Sequence, residues 1–171
     1  MSSLTTSYAE AKTCVFWDVE DCPIPDGQDP ESVAINIKSA LAKNGYRGEV
    51  TIRAYGEKYQ VQDFYESAGI KLFPQGDNYA RYMKMHMAVY DWMGENGLEL
   101  TNLMMVSGDN SGFRRTVGMR NHNILLAQPQ NSPRRCSDCT SPLPAIVSAE
   151  WIWESLSAGG DPITTTPTTS Y

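Results

Sequence analysis

A chain of 171 residues with 41% hydrophobic residues has the size of one ordinary domain, long enough to bury roughly two thirds of the surface its unfolded form exposes. Its formal net charge of −6 argues against broad, sequence-blind attraction to nucleic acid or to an anionic membrane, so any polyanion must be gripped by a local patch. No window of about 20 apolar residues exists to span a bilayer, and the first residues lack the regions of a signal peptide. The expectation is a cytoplasmic or nuclear protein with no membrane partner.

Residues 1–11 read as a flexible N-terminus, 12–160 as one domain and 161–171 as a disordered tail biased to Thr and Pro. Residues 14–18, CVFWD, form a continuous apolar run that stops at the turn signal CPIPDG and predicts a short buried strand. Asp29 as N-cap and Pro30 as first helical residue open a helix in which Val33, Ile37 and Leu41 recur at helical spacing, until Asn44 and Gly45 end it. EVTIRAY, 49–55, is β-branched and alternating. A second helix follows it, with Val61, Phe64, Tyr65 and Ala68 on one face.

Residues 70–74 predict a third strand. Across 79–93 the spacing predicts a long helix whose core stripe runs through Tyr79, Met83, Met87 and Tyr90, widened by Ala80, Val89 and Met93. LMMVS, 103–107, predicts a strand that ends in GDNSG, 113–120 a short helix, and NILLA, 123–127, a final core strand. From 128 to 144 the composition shifts to Pro, Ser, Asn and Arg and reads as an exposed loop. EWIWESL, 150–156, predicts a closing helix with Trp151 and Leu156 as core anchors.

Strands alternating with helices predict an α/β fold, a three-layer sandwich around a central, mainly parallel sheet. Ligands of such sheets bind beyond the carboxyl ends of the strands, where strand order reverses. Asp18 and Asp109 both stand at carboxyl ends of predicted strands, with Glu20 and Asp21 in reach of the same edge. Carboxylates converging there suit a hard cation such as Mg²⁺ or Mn²⁺. Strand-end Asp residues equally suit Asx-turns and helix caps, and SGDNSG is a good Asx-turn sequence.

Arg114 and Arg115 open the short helix after Asp109, and Arg120, Arg134 and Arg135 follow; such forks suit phosphate and equally suit a solvated surface. Tyr79, Arg81, Tyr82 and Lys84 fit either a stacking platform for a single strand or a packed helix face. Ser or Cys nucleophile chemistry is disfavoured, because His86 and His122 are the only histidines and no GxSxG elbow exists. Cys136 and Cys139 make half of a zinc site whose other half is missing, so these residues, Cys14 and Cys22 read as free thiols.

Four stretches carry a resemblance. VFWDVEDCPIP, 15–25, resembles the opening motif of the NYN domain, a PIN-like nuclease fold, in the version found in limkain-b-type meiosis regulators and a plant group described as endonucleases or glycosyl hydrolases. LMMVSGDNSGF, HNILLAQP and AEWIWESLSAGG resemble later blocks of the same family, in the same order, so that the resemblance spans about residues 12–160. It implies a metal-dependent endoribonuclease acting on single-stranded RNA, with Mg²⁺ or Mn²⁺ held by acids, in regulation of gene expression. Asp18 matches the first acid and Asp109 the acid of the SGD block, while Asp21 stands where relatives carry Asn. A link to peroxisomes comes by family association alone.

The departures concern the long helix. Anchoring on Trp92 puts Tyr82 and Ala88 where the family carries acids, and NSGF after Asp109 lacks the block's second Asp. Replacement by Asp77 or Asp91 would shift the helix register and move Trp92 off the core. Two expectations follow. Either Asp18, Asp21 and Asp109 form a catalytic metal site with Arg114 and Arg115 near the phosphate, or the chain is a catalytically degenerate NYN module that binds RNA or protein partners without cleaving.

Overall fold

The computed structural model describes residues 8–109, 121–131 and 147–165. The elements are β1 (Thr13–Asp18), α1 (Pro30–Lys43), β2 (Val50–Glu57), α2 (Gln62–Glu66), β3 (Ile70–Gln75), α3 (Asn78–Glu95), β4 (Thr101–Val106), β5 (His122–Gln128), β6 (Val147–Ile152), α4 (Trp153–Leu156) and β7 (Thr164–Thr165). One sheet runs in the order β3-β2-β1-β4-β5-β6-β7. The first six strands are parallel and β7 closes one edge antiparallel.

Alternate residues of the strands feed two cores, as the period of a strand requires. On one face Val15, Trp17, Met104 and Leu125 pack with Val33, Ile37 and Leu41 of α1, Tyr65 of α2 and Trp153 of α4. On the other, Phe16, Leu103, Met105 and Leu126 pack with Met85, Val89, Trp92 and Met93 of α3. The result is an α/β three-layer sandwich. Strand order reverses between β1 and β4: the chain builds outward from β1 to β3, then returns to β1's other side and builds outward again. The crevice of a doubly wound sheet opens at the carboxyl ends of those two strands.

α1 begins as its sequence dictates, with a capping box in which the Asp29 carboxylate accepts from Ser32 N and the Ser32 hydroxyl accepts from Asp29 N. Asn44 is its C-cap and Gly45 follows at φ 94°, a backbone state that glycine adopts without strain.

Three expectations about elements are corrected. The stretch 150–156 is half strand: Glu150, Trp151 and Ile152 belong to β6, and only 153–156 are helical, because pairing with β5 satisfies their backbone. α2 is a short turn of helix that buries Tyr65 alone, leaving Val61 and Phe64 exposed. Residues 161–165 run back along β6, with Ile163 N donating to Glu150 O and Thr164 opposite Glu150. At the other end, Asn102 Nδ2 donates to Tyr8 O and Arg47 N to Ala9 O, so residues 8–11 are tied to the body of the domain.

The third correction is the phase of α3. Tyr79, Met83, Met87 and Tyr90 lie on the solvent face, with Tyr79 73% and Met87 59% exposed. The buried stripe is Arg81, Met85, Val89 and Trp92, together with His86 and Met93. Burying the first stripe would expose Trp92, which instead packs edge-on against Phe16 at 6.3 Å and beside His122 at 5.9 Å. The larger aromatic and the β-branched Val89 select the phase, and Arg81 is carried inward with them.

Candidate functional site

The turn after β1 is fixed from below by two indoles. Trp17 Nε1 donates to Cys22 O at 2.7 Å and Trp153 Nε1 to Pro23 O at 2.9 Å, while the two rings pack at 5.4 Å. Within the turn, Asp18 Oδ1 accepts from Glu20 N at 3.0 Å and Asp21 N at 3.1 Å, which is an Asx-turn. The local reading of Asp18 as a turn former is therefore correct as far as one oxygen goes.

The same carboxylate also meets α3. Arg81 Nε lies 2.9 Å from Asp18 Oδ1 and 3.0 Å from Oδ2, and both residues are only 3% exposed. The other guanidinium nitrogens complete a ring of partners. Nη1 donates to Asn78 Oδ1 at 2.9 Å and faces Glu57 Oε1 at 3.8 Å, and Nη2 faces Asp21 Oδ1 at 3.6 Å. Arg81 thus sits among carboxylates from the ends of β1, its turn and β2, a place the sequence had offered to a metal ion.

Burial, reinforced by the charge of Asp21, pushes the Asp18 carboxyl up to about 6, against the Asp21 N–H and the Arg81 guanidinium, which favour its charged form. Burial also works against the charge on Arg81, but the hydrogen bond and charge of Asp18, with the charges of Asp21 and Glu20, outweigh it and hold the guanidinium above its ordinary value. At neutral pH the pair is ionised.

Glu20 turns away from this cluster. Its carboxylate accepts from Glu57 N at 3.0 Å, from Gln60 Nε2 at 2.7 Å and from the Tyr59 hydroxyl. Partial burial alone would raise its pKa, yet these three donors hold it below the ordinary value. It is a clamp between the ends of β1 and β2.

Asp21 reaches the other way. Its Oδ2 accepts from Gly108 N at 3.1 Å, joining the turn after β1 to the turn after β4 across the switch point. Asp109 follows, with its N–H donating to Ser107 Oγ at 3.2 Å. Asp18 and Asp21 are therefore brought together directly, and Asp109 is held at the neighbouring strand end through Gly108. The candidate phosphate-binding residues Arg114 and Arg115, and Cys136 and Cys139, lie outside the described residues.

His86, one and a half turns along α3 from Arg81, is the residue the sequence undervalued. Its Nδ1 lies 3.0 Å from Tyr82 O, and since a carbonyl only accepts, Nδ1 carries the proton and Nε2 the lone pair. That Nε2 is buried and has no hydrogen-bond partner among the described residues. Burial lowers the His86 pKa, against the Tyr82 carbonyl and the charge of Asp109. Tyr82 lies over the His86 ring at 3.9 Å, so neither Tyr82 nor the buried Arg81 belongs to an exposed stacking platform.

The acids that the resemblance leads one to expect on this helix have no substitute among the described residues. Asp77 is the N-cap of α3, its carboxylate accepting from Ala80 N at 2.7 Å, and Asp91 is on the exposed face. Among the described residues no group of three or more His, Cys, Asp or Glu side chains stands ready to hold a metal ion. Mg²⁺ and Mn²⁺ require several oxygen ligands at about 2.0–2.2 Å, and here the oxygens of Asp18 are committed to a guanidinium and two backbone N–H groups. The residues present do not fit a divalent cation while Arg81 stays in place.

The sequence profile of the NYN domain matches residues 12–164. The chain belongs to the NYN domain family. None of the curated proteins matches it. NYN membership and the observed sheet agree: both describe a PIN-like, nuclease-like α/β sandwich. Within that NYN scaffold the cation facing the Asp18 carboxylate comes from α3.

Proposed function

We propose that this NYN domain binds single-stranded RNA without cleaving it, as a degenerate member of its family acting in regulation of gene expression. The observation that supports this reading above all others is Arg81, whose guanidinium engages both oxygens of Asp18 where a nuclease needs a free carboxylate edge. Tyr82 and Ala88, at the positions expected to be acidic, add no ligand. The arginines at 114, 115, 120, 134 and 135 would supply the phosphate contacts, since Arg81 is too buried to reach a phosphate. The proposal includes membership in the limkain-b-type group and a cytoplasmic or nuclear location. No helix among the described residues is long and apolar enough to cross a membrane.

A second reading has a specific observation in its favour. Asp18, Asp21 and Asp109 all stand at the carboxyl ends of the two central strands, as a Mg²⁺- or Mn²⁺-dependent endoribonuclease would require, and that reading needs Arg81 to withdraw. Incubating the protein with labelled single-stranded RNA and Mn²⁺, beside Asp18→Asn and Asp109→Asn variants, separates the two. Retention of intact RNA supports the proposed function. Cleavage by the wild type that both variants lose overturns it.

A further inference from the structure

The structure assigns to Arg81 the role of a built-in cation: the domain neutralises its acidic edge from within and takes no divalent metal ion there. This deepens the non-cleaving reading and rests on the same site. Three carboxylates, Asp18, Asp21 and Glu57, face one guanidinium at 2.9, 3.6 and 3.8 Å. Leaving Asp18 buried and ionised without a partner would be costly, so something positive must stand against it. In a metal enzyme that is the ion. Here it is a side chain delivered by the core phase of α3, four residues before Met85 and on the same face.

Covalent attachment decides the competition. A free cation must be drawn from solution and stripped of water, and Mg²⁺ in particular gives up water reluctantly. Arg81 is present at fixed position on a helix anchored by Met85, Val89 and Trp92, and its planar fork presents a donor to each acid. A metal could enter only by displacing it, and no exit is offered: the helix is pinned at its start by the Asp77 cap and along its length by the core. Asp21 and Glu57 differ from Asp18 in that their side chains are each 38% exposed, and Asp21 keeps Oδ1 toward the guanidinium while its Oδ2 accepts from Gly108 N. Removing the guanidinium would therefore leave three carboxylates around one vacated position, a charge set that a hard divalent cation suits.

The test is Mn²⁺ binding, read by calorimetry and by thermal stability, in wild type, Arg81→Ala, Arg81→Lys and Arg81→Ala/Asp18→Asn. The wild type is expected to show no Asp18-dependent Mn²⁺ binding. Arg81→Ala should gain affinity at least about tenfold over the wild type, with a matching rise in melting temperature as Mn²⁺ is added. Arg81→Lys, which keeps the charge, should gain little, and the double variant should lose the gain. Should Arg81→Ala fail to fold in metal-free buffer, recovery of the fold by Mn²⁺ that the double variant lacks supports the assignment. Absence of recovery overturns it. Wild-type Mn²⁺ binding abolished by Asp18→Asn also overturns it, even if RNA stays intact, in which case the non-cleaving reading survives. Metal-independent RNA cleavage would do the reverse, sinking that reading and leaving the cation assignment standing.

Discussion

Asp21 Oδ2 accepts the backbone N–H of Gly108 at 3.1 Å, so one side chain bridges the ends of β1 and β4 across the point where strand order reverses. A Cβ on Gly108 would lie 2.9 Å from Asp21 Oδ2, 3.0 Å from its Cγ and 3.2 Å from its Cβ. The close approach, rather than an unusual backbone angle, is what requires glycine there. Gly108→Ala should therefore cost about 1–2 kcal/mol by displacing the carboxylate and losing its hydrogen bond. In the Asp21→Ala background the penalty should largely vanish. Urea midpoints at unchanged slope measure both; equal penalties in the two backgrounds would refute the bridge.

The buried pair predicts strong non-additivity. Asp18→Ala leaves an unpaired guanidinium in the core and should destabilise by about 3–5 kcal/mol, as should Arg81→Met by stranding the carboxylate. Asp18→Ala combined with Arg81→Met removes both charges and should cost far less than the sum of the single changes. A double-mutant cycle by chemical denaturation gives the coupling. Additive effects would mean that the two side chains do not depend on each other.

A pH dependence follows from the raised Asp18 value. The folded protein holds this proton up to about 6, whereas the unfolded chain releases it near 3.8. Between those values the native state binds more protons than the unfolded state, so stability contributed by this group declines as pH rises through that window. The difference in unfolding free energy between wild type and Asp18→Asn should fall from pH 4 to pH 6 and level off above it. The Asp18 carboxyl carbon, followed by NMR, should titrate near 6; titration below 4 would contradict the assignment.

The two faces of α3 should answer substitution differently. Met85→Ala opens a cavity in the core and is expected to cost about 2–5 kcal/mol. Met87→Ala, two residues on and exposed, should stay within about 0.5 kcal/mol. Thermal denaturation of the two variants checks the phase, and a reversed order would restore the stripe that runs through Tyr79, Met83, Met87 and Tyr90.

That stripe shows how far the sequence could be read. Two sets of residues on α3 recur at helical spacing, and the one read from the sequence contains no charge. The buried set, Arg81, Met85, Val89 and Trp92, has an arginine at its head. Periodicity measures only the spacing of apolar residues and is blind to a charged residue whose partner lies 63 positions away in the chain. β6 was missed for a related reason: 150–152 carry no mark of the strand they pair with, and β5 supplies the hydrogen bonds that decide them.

By itself the sequence determined the alternation of strands and helices, the α1 cap at Asp29, the acids behind β1 and β4, and membership of the NYN family. These are local signals, written in spacing, caps and motifs within a few residues of one another. Only the tertiary structure decided what the acids do. Packing Trp92 against Phe16 sets the rotation of α3, that rotation turns Arg81 inward, and the guanidinium then meets Asp18, Asp21 and Glu57. A carboxylate's role depends on which charge reaches it, and that is a property of the assembled fold.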